Sequence, residues 1–154
     1  MRVHKQMLGA VAEGLIAYLE TCAPREGATI LALSGDLGAG KTALVQQIAN
    51  VLSVSQIPPS PTFVIMRSYE TSHPIFRKLV HIDAYRLESD TELKPLHLDK
   101  EFATHGALVC IEWPEKLAGA LPERAIQINL ISVGENEREL TGSSDLESAL
   151  QKYI

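Results

Sequence analysis

The segment that decides the fold is GDLGAGKT, residues 35–42, which directly follows the apolar segment TILALS at residues 29–34. It matches the pattern G-x-x-x-x-G-K-[ST] at every fixed position. Glycine adopts backbone angles closed to other residues and leaves room for an approaching phosphate. The N–H groups of such a loop form an anion-binding nest, and the following helix adds the positive end of its dipole. The sequence therefore predicts a phosphate-binding loop (P-loop) between a buried strand and a helix.

Each residue of the P-loop has a predicted part in binding a nucleoside triphosphate. We expect Lys41 to reach the β- and γ-phosphates and the Thr42 hydroxyl to bind Mg²⁺. The other nucleotide-binding residues predicted in this loop are Gly35, Asp36, Leu37, Gly38, Ala39 and Gly40. A glycine turn with an incidental lysine is disfavoured, because a strand and a helix are indicated independently on either side. No N-K-x-D stretch occurs, so nothing in the sequence favours GTP.

Length and composition favour one globular domain. The chain has 154 residues, of which 45% are hydrophobic and 21% charged. Its net charge of −5 argues against a stand-alone nucleic-acid binder, since those proteins hold phosphates with clustered Lys and Arg. Cys22 and Cys110 form no C-x-x-C pair, so neither a zinc site nor a redox motif is indicated. With no signal peptide and no long apolar run, we expect a cytoplasmic protein without membrane contact.

The periodicity of apolar residues predicts an α/β domain over residues 1–154 with a mixed central sheet flanked by helices, the three-layer, P-loop NTPase-like architecture. We expect Ser144 to cap the last helix, with Glu147 three residues on. The predicted helices lie near residues 4–21, 42–52, 88–94, 98–104 and 144–153, with a helical turn near 115–120. The predicted strands lie near residues 29–34, 62–69, 78–84, 107–111, 125–133 and 137–141.

Two acidic residues follow predicted strands. ATP hydrolysis needs a carboxylate at the end of a neighbouring strand to hold Mg²⁺ or its water. Asp83 follows LVHI and Glu112 follows ALVCI, and ligands of open α/β sheets bind at such carboxyl ends. We predict Glu112 as the metal ligand and Asp83 as the catalytic carboxylate near the attacking water. A strand-end cap or an ion-pair partner remains the alternative for each of them.

Thr62 and Trp113 are two further candidates for contact with the nucleotide, and an ordinary structural role is the alternative for each. Thr62, in the segment SPTF, lies where many P-loop proteins sense the γ-phosphate through a hydroxyl. Ordinary capping at a proline turn explains the same pattern equally well. Trp113 directly follows Glu112, but a lone tryptophan is more often a core residue than a ligand contact.

The segments GDLGAGKT, SPTF, HIDAYRL and IEWPE, in this order and spacing, resemble the TsaE family. These are small bacterial P-loop ATPases needed to make threonylcarbamoyladenosine in tRNA. The resemblance runs from about residue 27 to residue 138. It implies a Mg²⁺-dependent ATPase, slow alone, that binds ATP and acts on a complex of the TsaD and TsaB proteins. That complex transfers the threonylcarbamoyl group to adenosine 37 of tRNAs reading ANN codons, so contact with tRNA is expected only through it.

The resemblance also implies roles for individual residues. Where the family often has a second threonine after the lysine and threonine of the loop, this chain has Ala43, which leaves the metal ligand Thr42 in place. The roles it implies are phosphate binding and catalysis for Lys41, metal binding for Thr42 and Glu112, catalysis for Asp83, a switch for Thr62, and nucleotide contacts for Trp113 and Arg138.

Two other function classes remain open from the sequence. A small-molecule P-loop kinase would need an acceptor pocket and often an arginine-rich lid, and no lid-like insertion stands out. A nucleotide-gated binding module would use the P-loop without useful hydrolysis. A kinase transfers the γ-phosphate to an organic acceptor, whereas an ATPase releases it. A gated binding module should keep its function in cells when Asp83 is replaced by alanine, whereas a function that needs hydrolysis should be lost.

Overall fold

The computed structural model describes residues 1–55, 65–88, 92–117 and 119–154. Its helices are α1 (Leu8–Cys22), α2 (Lys41–Val51), α3 (Leu98–Ala103) and α4 (Ser144–Leu150), with short 3-10 turns at Lys5–Met7, Lys94–Leu96 and Pro114–Leu117. Its strands are β1 (Arg2–His4), β2 (Thr29–Ser34), β3 (Met66–Glu70), β4 (Lys78–Asp83), β5 (Ala107–Glu112), β6 (Ile126–Ser132) and β7 (Glu137–Thr141).

The strands form one mixed sheet in the order β1-β7-β6-β2-β5-β4-β3. The four central strands, β6, β2, β5 and β4, run parallel to one another. The outer strands β3, β7 and β1 pair antiparallel to their neighbours. The predicted α/β class with a mixed sheet is confirmed.

Apolar side chains cover both faces of the sheet. Alternation along β2 places Leu31 and Leu33 in the apolar cluster with α1, α2 and α4, and Ile30 in the cluster with α3 on the opposite face. Because both faces of the central strands are covered, these strands read as nearly continuous apolar runs in the sequence. The three predicted layers, helices on either side of a sheet, are therefore present.

The longest helix owes its position to a regular apolar stripe. Leu8, Val11, Leu15 and Leu19 of α1 recur at helical spacing and are buried, Leu15 and Leu19 completely. This stripe packs α1 against α2, the helix that begins at the P-loop. Packing thus fixes the helix whose amino end faces the phosphate-binding loop.

The structure corrects several predicted boundaries. The first helix was predicted from residue 4 but begins at Leu8, because Arg2–His4 pairs with β7 as an edge strand. The last helix was predicted to run to residue 153 but ends at Leu150, and its N-cap is Ser143 rather than Ser144. Glu147 still contributes at this end, since the backbone N–H of Gly142 donates to its Oε1 over 3.0 Å.

Other predicted elements are only partly described. The predicted strand 62–69 is present as β3, while its first three residues lie outside the described ranges. The predicted helix 88–94 includes residues 89–91, which also lie outside them. The predicted turn at 115–120 is the 3-10 turn Pro114–Leu117. None of the helices in the described ranges has the length and apolar content needed to span a bilayer.

The register of the parallel strands brings the predicted acidic residues together. Asp83 of β4 lies directly beside Glu112 of β5, and Glu112 lies beside Leu33 at the end of β2. All of these positions are at the carboxyl ends of their strands, where the chain leaves β2 to form the P-loop. This end of the sheet is the place where ligands of open α/β sheets bind.

Candidate active site

The P-loop has the backbone geometry that its glycines predict. Gly35, Gly38 and Gly40 have φ angles of 128°, 79° and 105°, in the region that favours glycine. A Cβ on Gly35 would lie 1.9 Å from the backbone oxygen of Leu130, whereas one on Gly38 would meet no atom within 4 Å. The first glycine therefore allows close packing on β6, and Gly38 leaves one side of the loop open.

The Lys41 side chain folds back over this loop. Its Nζ donates to the backbone oxygens of Gly35 at 2.6 Å and Asp36 at 2.8 Å, and lies 3.9 Å from the ring centroid of Trp113. Lys41 is only 4% exposed. Burial lowers the pKa of its ammonium group, against the opposing effect of nearby carboxylates, of which Glu112 has the largest. The ammonium group thus lies within the loop, where phosphate oxygens could replace the two backbone oxygens.

Thr42 and Glu112 meet at the first turn of α2. The Thr42 hydroxyl donates to Glu112 Oε2 over 2.8 Å. Glu112 is 2% exposed, and its second oxygen, Oε1, lies 2.7 Å from Nε2 of His81. Both carboxylate oxygens of Glu112 therefore have a hydrogen-bond partner, and one of those partners belongs to the P-loop helix.

Asp83 is the second carboxylate of the site. Its Oδ1 accepts a hydrogen bond from the backbone N–H of Tyr85 over 3.0 Å. Burial raises the pKa of Asp83, and the negative charge of Glu112 raises it further, whereas the Tyr85 hydrogen bond lowers it. A carboxylate with a raised pKa beside the phosphate-binding loop is suited to accept a proton.

A cleft of about 280 Å³ connects these groups. Trp113 lines this cleft, with its ring centroid 5.0 Å from that of Tyr85. The φ angle of Trp113 is +59°, a conformation that costs energy in a non-glycine residue and that is found disproportionately at functional sites. The cleft is lined by Leu37, Gly38, Gly40, Lys41, Thr42, Ala43, Asp83, Tyr85, Arg86, Glu112 and Trp113.

Arg138 supports the P-loop from the adjacent hairpin. Its Nε donates to the backbone oxygen of Ala39 over 2.9 Å. Its Nη1 donates to the backbone oxygens of Gly134 at 3.0 Å and Glu137 at 2.9 Å. The guanidinium group thus joins the turn between β6 and β7 to the loop.

The donor set at Thr42 and Glu112 fits Mg²⁺. This ion prefers six oxygen ligands and is commonly held by one or two protein groups together with substrate phosphates and water. A hydroxyl and a carboxylate 2.8 Å apart beside the P-loop supply such a pair. Within the described part of the chain, no group of three or more His, Cys, Asp and Glu side chains could hold a metal ion. Phosphate oxygens or water molecules would complete the coordination.

Comparison with known proteins identifies the family. The family profile described as "Threonylcarbamoyl adenosine biosynthesis protein TsaE" matches residues 4–140. The chain belongs to the TsaE family. Curated relatives named "tRNA threonylcarbamoyladenosine biosynthesis protein TsaE" include those of Bacillus subtilis, Treponema pallidum and Rickettsia bellii. The Bacillus subtilis protein is 40% identical over 73% of this chain and 67% of its own length. The Treponema pallidum protein is 32% identical over 75% of this chain and 82% of its own length. The Rickettsia bellii protein is 35% identical over 79% of this chain and 80% of its own length.

A solved structure supports the same fold. The crystal structure of Bacillus subtilis YdiB superposes with a TM-score of 0.69 at 25% sequence identity, covering 99% of this chain and 91% of that one. The family profile and the curated relatives confirm the resemblance to the TsaE family inferred from the four motifs.

The structure brings together most of the site residues predicted from the sequence. Lys41, Thr42, Asp83, Glu112 and Trp113 all line one cleft with the tip of the P-loop. Their roles in binding and catalysis remain predictions. Thr62 lies outside the described residues. The described hydrogen bonds of Arg138 are to backbone oxygens, so its predicted contact with the nucleotide is also still a prediction.

Two residues of the site had no predicted role. His81 interrupts an apolar strand in the sequence, but its ring contacts Glu112 on the neighbouring strand. Tyr85 packs on Trp113. Alternation along β4 places His81 on the same side as Asp83, which was the available signal, whereas Tyr85 lies in the turn after this strand. The sequence did not reveal which residues of β5 and the following turn they would meet.

Proposed function

We propose that this TsaE-family chain is a Mg²⁺-dependent ATPase required for threonylcarbamoylation of adenosine 37 in tRNAs that read ANN codons. It acts on a complex of the TsaD and TsaB proteins and resets that complex between turnovers. Family membership supports the place in tRNA threonylcarbamoyladenosine biosynthesis. The observation that carries the ATPase proposal is the arrangement of Lys41, Thr42, Asp83 and Glu112 around one cleft at the carboxyl ends of the strands.

Each of these residues has a defined task in the proposed reaction. The backbone N–H groups of the P-loop and the amino end of α2 bind the phosphates, and Lys41 exchanges its two backbone oxygen partners for phosphate oxygens. Thr42 and Glu112 would hold Mg²⁺, which offsets negative charge on the phosphates. Asp83 orients the attacking water and accepts its proton. Trp113 and Tyr85 line the cleft and pack on each other.

The resemblance to the TsaE family implies slow turnover by the chain alone, and among the described residues the arginine that lines the cleft is Arg86. GTPases and related enzymes gain much of their rate from an arginine that contacts the transferring phosphate, often supplied by a partner. Arg138 is engaged with backbone oxygens behind the loop. Contact with TsaD and TsaB is therefore expected to accelerate hydrolysis.

The test compares ATP turnover by the purified chain with and without its cognate TsaD–TsaB complex. The proposal expects slow phosphate release by the chain alone, a rise in rate with the complex, and loss of both with EDTA. Unchanged turnover on addition of the complex would contradict the proposed partnership. Transfer of labelled phosphate to an organic acceptor would instead identify a kinase.

A second experiment separates hydrolysis from nucleotide-gated binding. Asp83→Ala is introduced into cells that depend on this protein for the modified tRNA. Hydrolysis-dependent function predicts loss of threonylcarbamoyladenosine, measured by mass spectrometry of tRNA nucleosides, while the purified variant still binds ATP. Normal modification by a variant that binds but does not hydrolyse ATP would show that binding alone suffices.

A further inference from the structure

A fully buried histidine contacts the candidate metal ligand of the site. His81 of β4 has no exposed surface, and Glu112 is 2% exposed. The distance between Nε2 of His81 and Oε1 of Glu112 is 2.7 Å, while Glu112 Oε2 accepts the hydrogen bond from Thr42. Oε1 of Glu112 thus contacts the buried ring of His81 on β4, and Oε2 contacts Thr42 on the P-loop helix α2.

The surroundings of the ring determine where its proton lies. Nδ1 of His81 is buried and has no hydrogen-bond partner in the described part of the structure. A hydrogen on Nδ1 would be a buried donor without an acceptor, which is unfavourable. A hydrogen on Nε2 has the Glu112 carboxylate as its acceptor. The contacts therefore assign the proton to Nε2, so that His81 donates to Glu112.

We propose that His81 is a positioning residue for the magnesium site. Its Nε2–H holds Oε1 of Glu112, and this leaves Oε2 beside the Thr42 hydroxyl and directed at the cleft. Carboxylates that bind metals depend on such hydrogen bonds from residues behind them, because these bonds fix the orientation of the ligand. This inference rests on the proposed function, in which Glu112 and Thr42 hold Mg²⁺.

The position of His81 in the sheet argues for this role over simple packing. The neighbouring residues Leu79, Val80 and Ile82 are all fully buried and apolar. An imidazole in such a place is unfavourable unless it forms hydrogen bonds, and an apolar side chain would fill the space at lower cost. Its described hydrogen bond is the one to Glu112. The favourable contribution of this ring is therefore made at the candidate metal ligand.

The experiment measures how much Mg²⁺ strengthens ATP binding, by isothermal titration calorimetry with Mg²⁺ and with EDTA. The variants are His81→Asn and His81→Gln. The side-chain amide nitrogen of glutamine reaches the position of Nε2, whereas that of asparagine reaches only the position of Nδ1. In His81→Asn we expect affinity in Mg²⁺ to fall about 10- to 100-fold, the usual effect of losing such a hydrogen bond. Affinity in EDTA should stay unchanged, and His81→Gln should retain most of the Mg²⁺ effect.

A spectroscopic measurement on the unaltered chain provides a second readout. Long-range ¹H–¹⁵N NMR correlations of the histidine rings distinguish a ring protonated at Nε2 from one protonated at Nδ1. The proposal expects His81 to show a protonated Nε2 without nucleotide. This result does not require the variants to fold, so a misfolded His81→Asn leaves the proposal testable.

The outcomes distinguish failure of this inference from failure of the proposed function. If the unaltered chain binds ATP more tightly with Mg²⁺ and His81→Asn keeps the full effect, the positioning role is wrong and the ATPase proposal stands. An Nε2 without a proton in the NMR spectrum also overturns the positioning role. If the unaltered chain binds no adenine nucleotide, or gains nothing from Mg²⁺, the proposed magnesium site fails and the role of His81 fails with it.

Discussion

Asp83 is a carboxyl group whose partial burial disfavours its charged form. Burial raises the pKa of this carboxyl above its ordinary value of 3.8. The folded protein therefore binds the proton of Asp83 more tightly than the unfolded chain does. Consequently, the contribution of Asp83 to the free energy of unfolding is most favourable below pH 3.8 and declines as the pH rises through the raised pKa. At neutral pH the ionised Asp83 reduces stability.

Asp83→Asn should separate stability from activity. The variant keeps an oxygen for the Tyr85 N–H and removes the buried charge, so its melting temperature at pH 7 should exceed that of the unaltered chain. This difference should shrink as the pH is lowered towards that of free carboxylic acids. ATP turnover should fall about 100- to 10,000-fold, the typical contribution of a general base. Calorimetry over a pH series and a phosphate-release assay measure both effects; undiminished turnover would remove Asp83 from the catalytic role.

At the residue scale, the positions of the candidate site residues were easier to predict than their contacts. Lys41, Thr42, Asp83 and Glu112 were predictable because each has a fixed position in a motif or at the end of an apolar strand. His81 could be placed on the same side of its strand as Asp83. Its contact with Glu112 depends on the register between β4 and β5, and a strand carries no local signal for the register of its neighbour.

Among the elements, the P-loop is held by its neighbours on two sides. Gly35 packs against the backbone of β6, and Arg138 joins the loop to the turn between β6 and β7. The loop is therefore supported by tertiary contacts as well as by its own glycines. Substitutions at these positions should have different effects, according to which contact they disturb.

Gly35→Ala and Gly38→Ala form a matched pair for the loop. Both glycines have positive φ, so an alanine costs about 1–2 kcal/mol at either position from backbone strain. At Gly35 the added Cβ would also lie 1.9 Å from the Leu130 oxygen, which forces the loop and β6 apart. In urea unfolding, the free energy of unfolding should therefore fall much more for Gly35→Ala than for Gly38→Ala. Equal losses would contradict the close packing of Gly35 on β6.

Arg138→Ala should weaken nucleotide binding without unfolding the domain. The change removes the hydrogen bond from Nε to the Ala39 oxygen, and the loss of a bond to a charged group commonly costs about 1.5–3 kcal/mol. If that energy holds the loop in its binding geometry, affinity for ATP should fall roughly 10- to 100-fold. Arg138→Lys, which keeps the charge but not the fork of donors, is the control for charge alone. Calorimetric titration with ATP measures all three proteins; an unchanged affinity for Arg138→Ala would limit Arg138 to a role in the hairpin.

Prediction of elements succeeded where the sequence pattern was long and regular. Helix α1 and strands β2 and β5 follow from apolar periodicity alone. Strand β1 has three residues and forms because it pairs with β7. In this pairing Arg2 lies beside Glu139, which is more than 130 positions further along the chain. Such a pairing leaves no local pattern. The shift of the last N-cap from Ser144 to Ser143 is a boundary error between two residues of the same type.

On the scale of the whole molecule, two apolar clusters lie on opposite faces of one sheet. Leu15 belongs to the cluster on the side of α1, and Val109 to the cluster on the side of α3. Strands β2, β4 and β5 contribute side chains to both clusters. Loss of either cluster would therefore expose one face of the same central strands.

This arrangement predicts that residues 1–154 unfold as one cooperative unit. Scanning calorimetry should give a single transition whose calorimetric and van 't Hoff enthalpies agree. Leu15→Ala should lower the free energy of unfolding by about 2–5 kcal/mol. Val109→Ala, which removes fewer side-chain carbon atoms than Leu15→Ala, should lower it less. Both should shift the same transition, whereas two transitions that respond separately to the two variants would contradict a single domain.

The whole-molecule prediction from sequence reached the class of fold and stopped at the order of strands. Alternating strands and helices with a P-loop predict a three-layer α/β domain. They do not reveal the two neighbours of β2. In the structure these are β5 on one edge and β6 on the other. That order depends on which strand edges pair in the folded state, and the sequence carries no local signal for those pairings.

The place of Lys41 against Trp113 has a practical consequence. Trp113 is the chain's sole tryptophan, and the Lys41 ammonium group lies 3.9 Å from its ring. On the proposed ATP-binding role, a bound triphosphate would draw that ammonium group away from its present partners, and the electric field at the indole would change with it. The intrinsic fluorescence of the protein should therefore report nucleotide arrival in real time, so stopped-flow mixing can yield association rates without a dye or an engineered label.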